Sequence, residues 1–157
     1  MSSVRFSFPR TVLILALCWA PASCSSTSVF QLSAEEQSLL QSAMNTSLTF
    51  VVPRDQTIAS WDRAVDFVDR YSTMKLRSAT DSLVTHYQEP VVTPTIASAS
   101  SILYGYSVGR TKDWEGIRYN VQCTPSSAVG QKDADQNAHI AAYYIKTGAV
   151  CDRCIVR

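Results

Sequence analysis

Two runs of strict alternation face each other across a short polar turn, and no other stretch of the chain narrows the fold so much. Ile102, Tyr104, Tyr106 and Val108 alternate with Leu103, Gly105 and Ser107. Beyond a turn at 112–116, Ile117, Tyr119, Val121 and Cys123 alternate with Arg118, Asn120 and Gln122. A side-chain period of two on both sides of a Gly-containing turn predicts a β-hairpin with one buried face. That face must be covered by a second layer of structure. Trp114 sits in the turn, either as a lid on the sheet end or as an exposed contact residue. The tyrosines of the hairpin are the surface to test for a partner, since aromatic residues are enriched in interfaces. The competing reading is that they fill the core.

The flanking segments supply the covering layer. Ser33-Ala34-Glu35-Glu36 is a capping box, followed by Leu39, Leu40, Ala43 and Met44 at helical spacing, which predicts a helix over 34–44. Residues 48–52 are β-branched and aromatic and stop at Pro53, as an edge strand would. Ser60 reads as the cap of a second helix over 61–72, with Trp61, Ala64, Val65, Val68 and Tyr71 along one side. Asp62, Asp66 and Asp69 line its other side. They are a solvated face, or less commonly a divalent-cation site. Residues 74–87 predict a strand with a bulge or turn near Asp81, and 90–101 a loop. A last helix starts at Asp133 or Asp135, carries Ala138, Ala141, Ala142 and Ile145 on its apolar side, and ends at Gly148.

The expected architecture is α+β: a small antiparallel sheet of three to four strands with helices packed on one face, over residues 33–157. From residue 60 onward the order helix, three antiparallel strands, helix resembles the double-stranded RNA-binding fold. The basic helix start of that family is missing from Gln131-Lys132-Asp133-Ala134-Asp135. Cationic residues are scattered singly, so no nucleic-acid partner is expected.

At the other end, Arg5 and Arg10 precede an apolar run from Val12 to Trp19 and then small residues, the layout of a secretory leader. The run is about half of the roughly 20 residues that a membrane-crossing helix needs. Ala20-Pro21-Ala22 fits cleavage before Ser23. Pro21-Ala22-Ser23-Cys24 resembles a bacterial lipobox, with Pro21 where a Leu-like residue is usual; the resemblance implies acylation of Cys24. The expected layout is a leader over 1–24, cleaved near Ala22 or before Cys24, and a Ser/Thr-rich tether over 25–32. Either route takes the protein out of the cytoplasm, to the cell envelope on a lipid anchor or to the periplasm or medium. The 157-residue chain has 14 Lys and Arg against 13 Asp and Glu, and losing Arg5 and Arg10 leaves one more acid than base.

Export places the cysteines in an oxidising compartment. Cys123, Cys151 and Cys154 are the disulfide candidates, and a bond from Cys123 to Cys151 or Cys154 is expected because the tail follows a helix that should pack on the sheet. Cys151-x-x-Cys154 as a redox pair would follow a helix C-terminus, which works against a thiolate. Cys123, Cys151, Cys154 and His139 also match a zinc site by ligand type and number. Asp135, His139 and Tyr143 share a helix face at four-residue spacing, as in a carboxylate-oriented general base, though with no nucleophile beside them. His86 is the other histidine. No motif implies a cofactor or a reaction. The expected role is therefore an exported binding or structural module of unknown protein or small-molecule ligand. The alternative is a thiol- or metal-dependent protein built on Cys123, Cys151, Cys154 and His139.

Overall fold

The capping box opens the first helix as expected. The Glu36 amide donates to Ser33 Oγ at 3.1 Å and the Ser33 amide to Glu36 Oε2 at 2.7 Å, so helix α1 runs Ala34–Met44. The structure is a computed structural model that describes residues 31–74, 76–86 and 102–157, and residues 32–157 form one unit. After α1 come strand β1 (Thr49–Pro53), a 3₁₀ turn (Arg54–Gln56) and helix α2 (Thr57–Tyr71). Strands β2 (Leu76–Ala79), β3 (Leu83–His86), β4 (Tyr104–Lys112) and β5 (Gly116–Pro125) follow, then helix α3 (Gln131–Thr147). Among the described residues no helix is long and apolar enough to cross a membrane. The expected loop over 90–101 and the leader with Cys24 lie outside the described residues.

All five strands form one antiparallel sheet in the order β1-β5-β4-β3-β2. The α+β class stands, with five strands instead of three to four. The difference lies at 76–86, where the Thr80 hydroxyl and amide both bond Leu83 and turn the chain back on itself. One long expected strand thus becomes two short ones. Among the described residues four strands, not three, separate α2 from α3, so the element order does not keep the double-stranded RNA-binding pattern.

The hairpin alternation sets the faces. Cross-strand partners share a face, and the pairs Tyr106–Cys123, Val108–Val121 and Arg110–Tyr119 lie on one side of the sheet. Phe50 and Val52 of β1 and Val84 of β3 join that side. With Phe67 and Val68 of α2 and Ile140, Ala141 and Ile145 of α3 they form the core. Tyr104, Tyr106 and Tyr119 are fully buried, so the hairpin tyrosines fill the core and are not a contact surface.

Two polar groups inside this core are satisfied by distant partners. Ser60 is not a cap but lies in the second turn of α2, where its Oγ donates to the Thr57 carbonyl and shares a 2.8 Å hydrogen bond with the Tyr119 hydroxyl. Asn137, also fully buried, donates to the Val156 carbonyl at 2.9 Å and accepts from the Val156 amide at 3.0 Å, fastening the C-terminal tail to α3. Helix α3 begins two to four residues earlier than Asp133 or Asp135 suggests. It ends as expected on Gly148 with φ of 82°, whose amide bonds the Tyr144 carbonyl at 2.7 Å. Arg63 of α2 donates to the Ile145 carbonyl at 2.9 Å and so caps α3 from its neighbour.

Candidate functional site

The expected chemistry divides among separate places. Cys151 and Cys154, with Cα atoms 5.3 Å apart, are joined to each other in a disulfide across a 3₁₀ turn. Among the described residues Cys123 has no disulfide partner. The expected bond from Cys123 to the tail is therefore replaced by a local one, because the turn at 152–154 brings the two tail cysteines within bonding reach. Cys123 instead faces Tyr106 across the β4–β5 ladder. Burial pushes the thiol up from its ordinary 9.0 to about 12, and burial likewise pushes Tyr106 up. A thiol held this way is not a nucleophile at neutral pH.

This has a measurable consequence. At pH 8 the native protein holds on the order of a thousandfold less Cys123 thiolate than the unfolded chain. Iodoacetamide should leave Cys123 unmodified in the native protein and label it in urea, as read by intact mass. The sign for stability follows from a folded value above the unfolded one. The contribution is complete below pH 9 and is lost as pH rises toward 12. Cys123→Ala should flatten that alkaline slope; an unchanged slope would show that Cys123 does not titrate there.

The Asp135–His139–Tyr143 trio does not assemble as a base. Asp135 accepts from the Gln131 side chain at 2.8 Å, while His139 Nδ1 lies 2.7 Å from the Thr46 carbonyl. His139 thus ties α3 to the end of α1, and Tyr143 packs against the core. Asp66 on α2 bonds Arg70 and, at 2.9 Å, the Tyr144 hydroxyl. Among the described residues no group of three or more His, Cys, Asp or Glu side chains is placed to hold a metal ion.

Exposed side chains of a different kind gather at one end of the sheet. The start of α2, the end of β1 and the β2–β3 and β4–β5 turns meet there, because Pro53 pairs with Gly116 and Leu83 with Gly109. At the β4–β5 tip Asp113 and Gly116 exchange backbone hydrogen bonds, leaving Trp114 82 % exposed. Ile58, in the first turn of α2, is 79 % exposed. At the same end is a shallow cavity of about 470 Å³ bordered by Thr57, Ser82, Arg110, Lys112 and Ile117. The Arg110 guanidinium stacks 4.1 Å above the Trp61 ring and donates to the Asp81 carbonyl, which fixes a cation at the rim. Arg118 pairs with Asp113 at 2.5 Å and, as the main cause, holds that carboxyl below its ordinary value. The arrangement offers an exposed indole, a held guanidinium and an apolar floor. Those are parts of a contact surface, with no acid–base pair or nucleophile among them.

Sequence reasoning singled out Trp114 but missed Arg110 and Trp61. Their stacking links residues 49 positions apart, and no local pattern announces it. No family model matches the chain, and neither a curated protein nor a solved structure is detectably similar to it.

Proposed function

We propose that this chain is a small exported protein of the bacterial envelope, held at the membrane through an acylated Cys24, whose α+β domain works as a binding or structural module. The observation that carries the reading is the Cys151–Cys154 disulfide, a bond that persists in oxidising compartments and is rare in the cytosol. It agrees with the leader layout at Arg5, Arg10 and the apolar run that follows. The Ser/Thr-rich segment after Cys24 would serve as the tether. The sheet end around Trp114, Ile58 and the Arg110–Trp61 stack would be the contact surface. The thiol- or metal-dependent alternative draws no support from a raised, half-buried Cys123 and a His139 engaged with Thr46.

The test is the intact mass of the mature protein from membrane and soluble fractions. The expected species begins at Cys24, carries the mass of attached acyl chains, partitions with membranes and is lighter by two hydrogens for the disulfide. An unlipidated chain beginning at Ser23 would overturn the anchor, and an uncleaved chain in the cytosol would overturn export.

A further inference from the structure

Gly109 has no structural reason to be glycine. It lies within β4, opposite Leu83 of β3 and Asn120 of β5, in ladders that pass through it without a register shift. Its backbone is not in the left-handed region, where only Gly148 is found among the described residues. Among the described residues a Cβ built on Gly109 meets no atom within 4 Å, whereas one built on Gly116 or Gly130 would collide with its surroundings. Glycine weakens a strand interior, and where neither a turn nor a close backbone requires it, it marks a place where a ligand approaches.

The surroundings of Gly109 fit that description. Leu83, Gly109, Asn120 and Thr49 form one row across the sheet face opposite the core, and Thr111, Arg118 and Val51 form the next. The missing side chain opens a trough of about 430 Å³, bordered by Thr49, Ser82, Arg110, Thr111, Arg118 and Asn120. That is the size of an ordinary small-ligand site. Its walls carry three hydroxyls, a carboxamide and the Arg118 guanidinium, while Arg110 borders the trough with its guanidinium stacked on Trp61 at the other face. The Arg118 guanidinium is neutralised by Asp113, whose side chain is only 8 % exposed. Groups that both donate and accept, in a trough without net charge, suit a ligand that is itself rich in hydroxyls.

We propose that this trough is a glycan-binding site for a neutral hexose or N-acetylhexosamine unit, its ring seated over Gly109 and its hydroxyls bonded by Asn120, Thr49 and Thr111. The proposal names a ligand class for the binding module and rests on that reading. The full chain should bind saturably to members of a panel of immobilised neutral hexose and N-acetylhexosamine oligosaccharides, with an affinity that salt does not change. Gly109→Val, which fills the trough, and Asn120→Ala, which removes the carboxamide, should each weaken binding about tenfold or more, the loss of one or two good hydrogen bonds. Both variants should keep the melting temperature of the parent. Four results would overturn the proposal: no oligosaccharide bound, binding undiminished in Gly109→Val, binding abolished by salt, or a Gly109→Val protein that melts well below the parent. The last would show that the glycine serves the fold after all. Failure here with an acylated Cys24 removes this site alone, and an unlipidated chain that still binds sugar removes the anchor alone.

Discussion

Phe67→Ala should lower the unfolding free energy by about 3–5 kcal/mol, the cost of truncating a fully buried Phe. Phe67 is 0 % exposed, and its ring stands where three elements meet. Its centroid is 4.6 Å from Tyr71 on its own helix, 5.2 Å from Tyr106 of β4 in an edge-on arrangement, and 5.7 Å from Tyr144 of α3. Each such aromatic pair adds about 0.5–1.5 kcal/mol beyond simple burial. Two of the partner tyrosines cannot move in to fill the void without giving up a hydrogen bond, because Tyr71 is bonded to Asp152 and Tyr144 to Asp66. Domains of this size are stable by about 5–15 kcal/mol, so the variant should sit near the edge of folding. Urea unfolding followed by tyrosine and tryptophan fluorescence measures the loss. A change below about 1 kcal/mol would show that the ring is not the keystone of the core.

Gly116→Ala should be nearly as damaging, although it adds a single methyl. A Cβ there would stand 2.1 Å from the Val52 carbonyl oxygen and 3.0 Å from its carbonyl carbon. Both are backbone atoms of β1, so no side chain can swing aside. The strand itself must shift, and Val52, which is 1 % exposed in the core, shifts with it. Overpacking of this kind costs about 1–3 kcal/mol, with the upper end expected where backbone has to move. The melting temperature should fall by roughly 10 °C. Gly109→Ala, seven residues earlier in the same hairpin, supplies the control. It meets nothing within 4 Å and should leave the melting temperature unchanged or slightly raised. Equal losses at both positions would mean that glycine is needed for backbone freedom throughout the hairpin, against the geometry at Gly109.

How much of this was legible in the chain depended on how local each signal was. The hairpin, α1 and the end of α3 rest on patterns that span a few residues: period-two alternation, a capping box, a Gly at a helix terminus. All three are present in the structure. Ser60 misled because a serine before an apolar helical run looks like a cap. Its hydroxyl is instead used inside the helix, toward a tyrosine 59 residues away. The split at 80–82 was visible only as a change of phase near Asp81, which a bulge would also produce. The cysteine pairing failed in the opposite direction. A long-range bond was expected where a three-residue spacing sufficed. Gly109 lies just beyond the alternating run, and only its three-dimensional neighbours show that a side chain there would meet open space.

The Arg153–Glu36 ion pair bears on how the C-terminal tail is held. It joins residues 117 positions apart, at 3.1 Å, with the Arg153 side chain about half exposed. Closing so long a loop is entropically expensive, and an ion pair at the surface returns less than about 1 kcal/mol. Glu36 cannot recruit the tail to an unformed domain. It latches a tail that Asn137 also holds against α3. The hold on the C-terminus therefore rests on Asn137 and on Cys151, Cys154 and Ile155 buried in the core, and the surface pair only narrows the freedom left to the turn at 152–154.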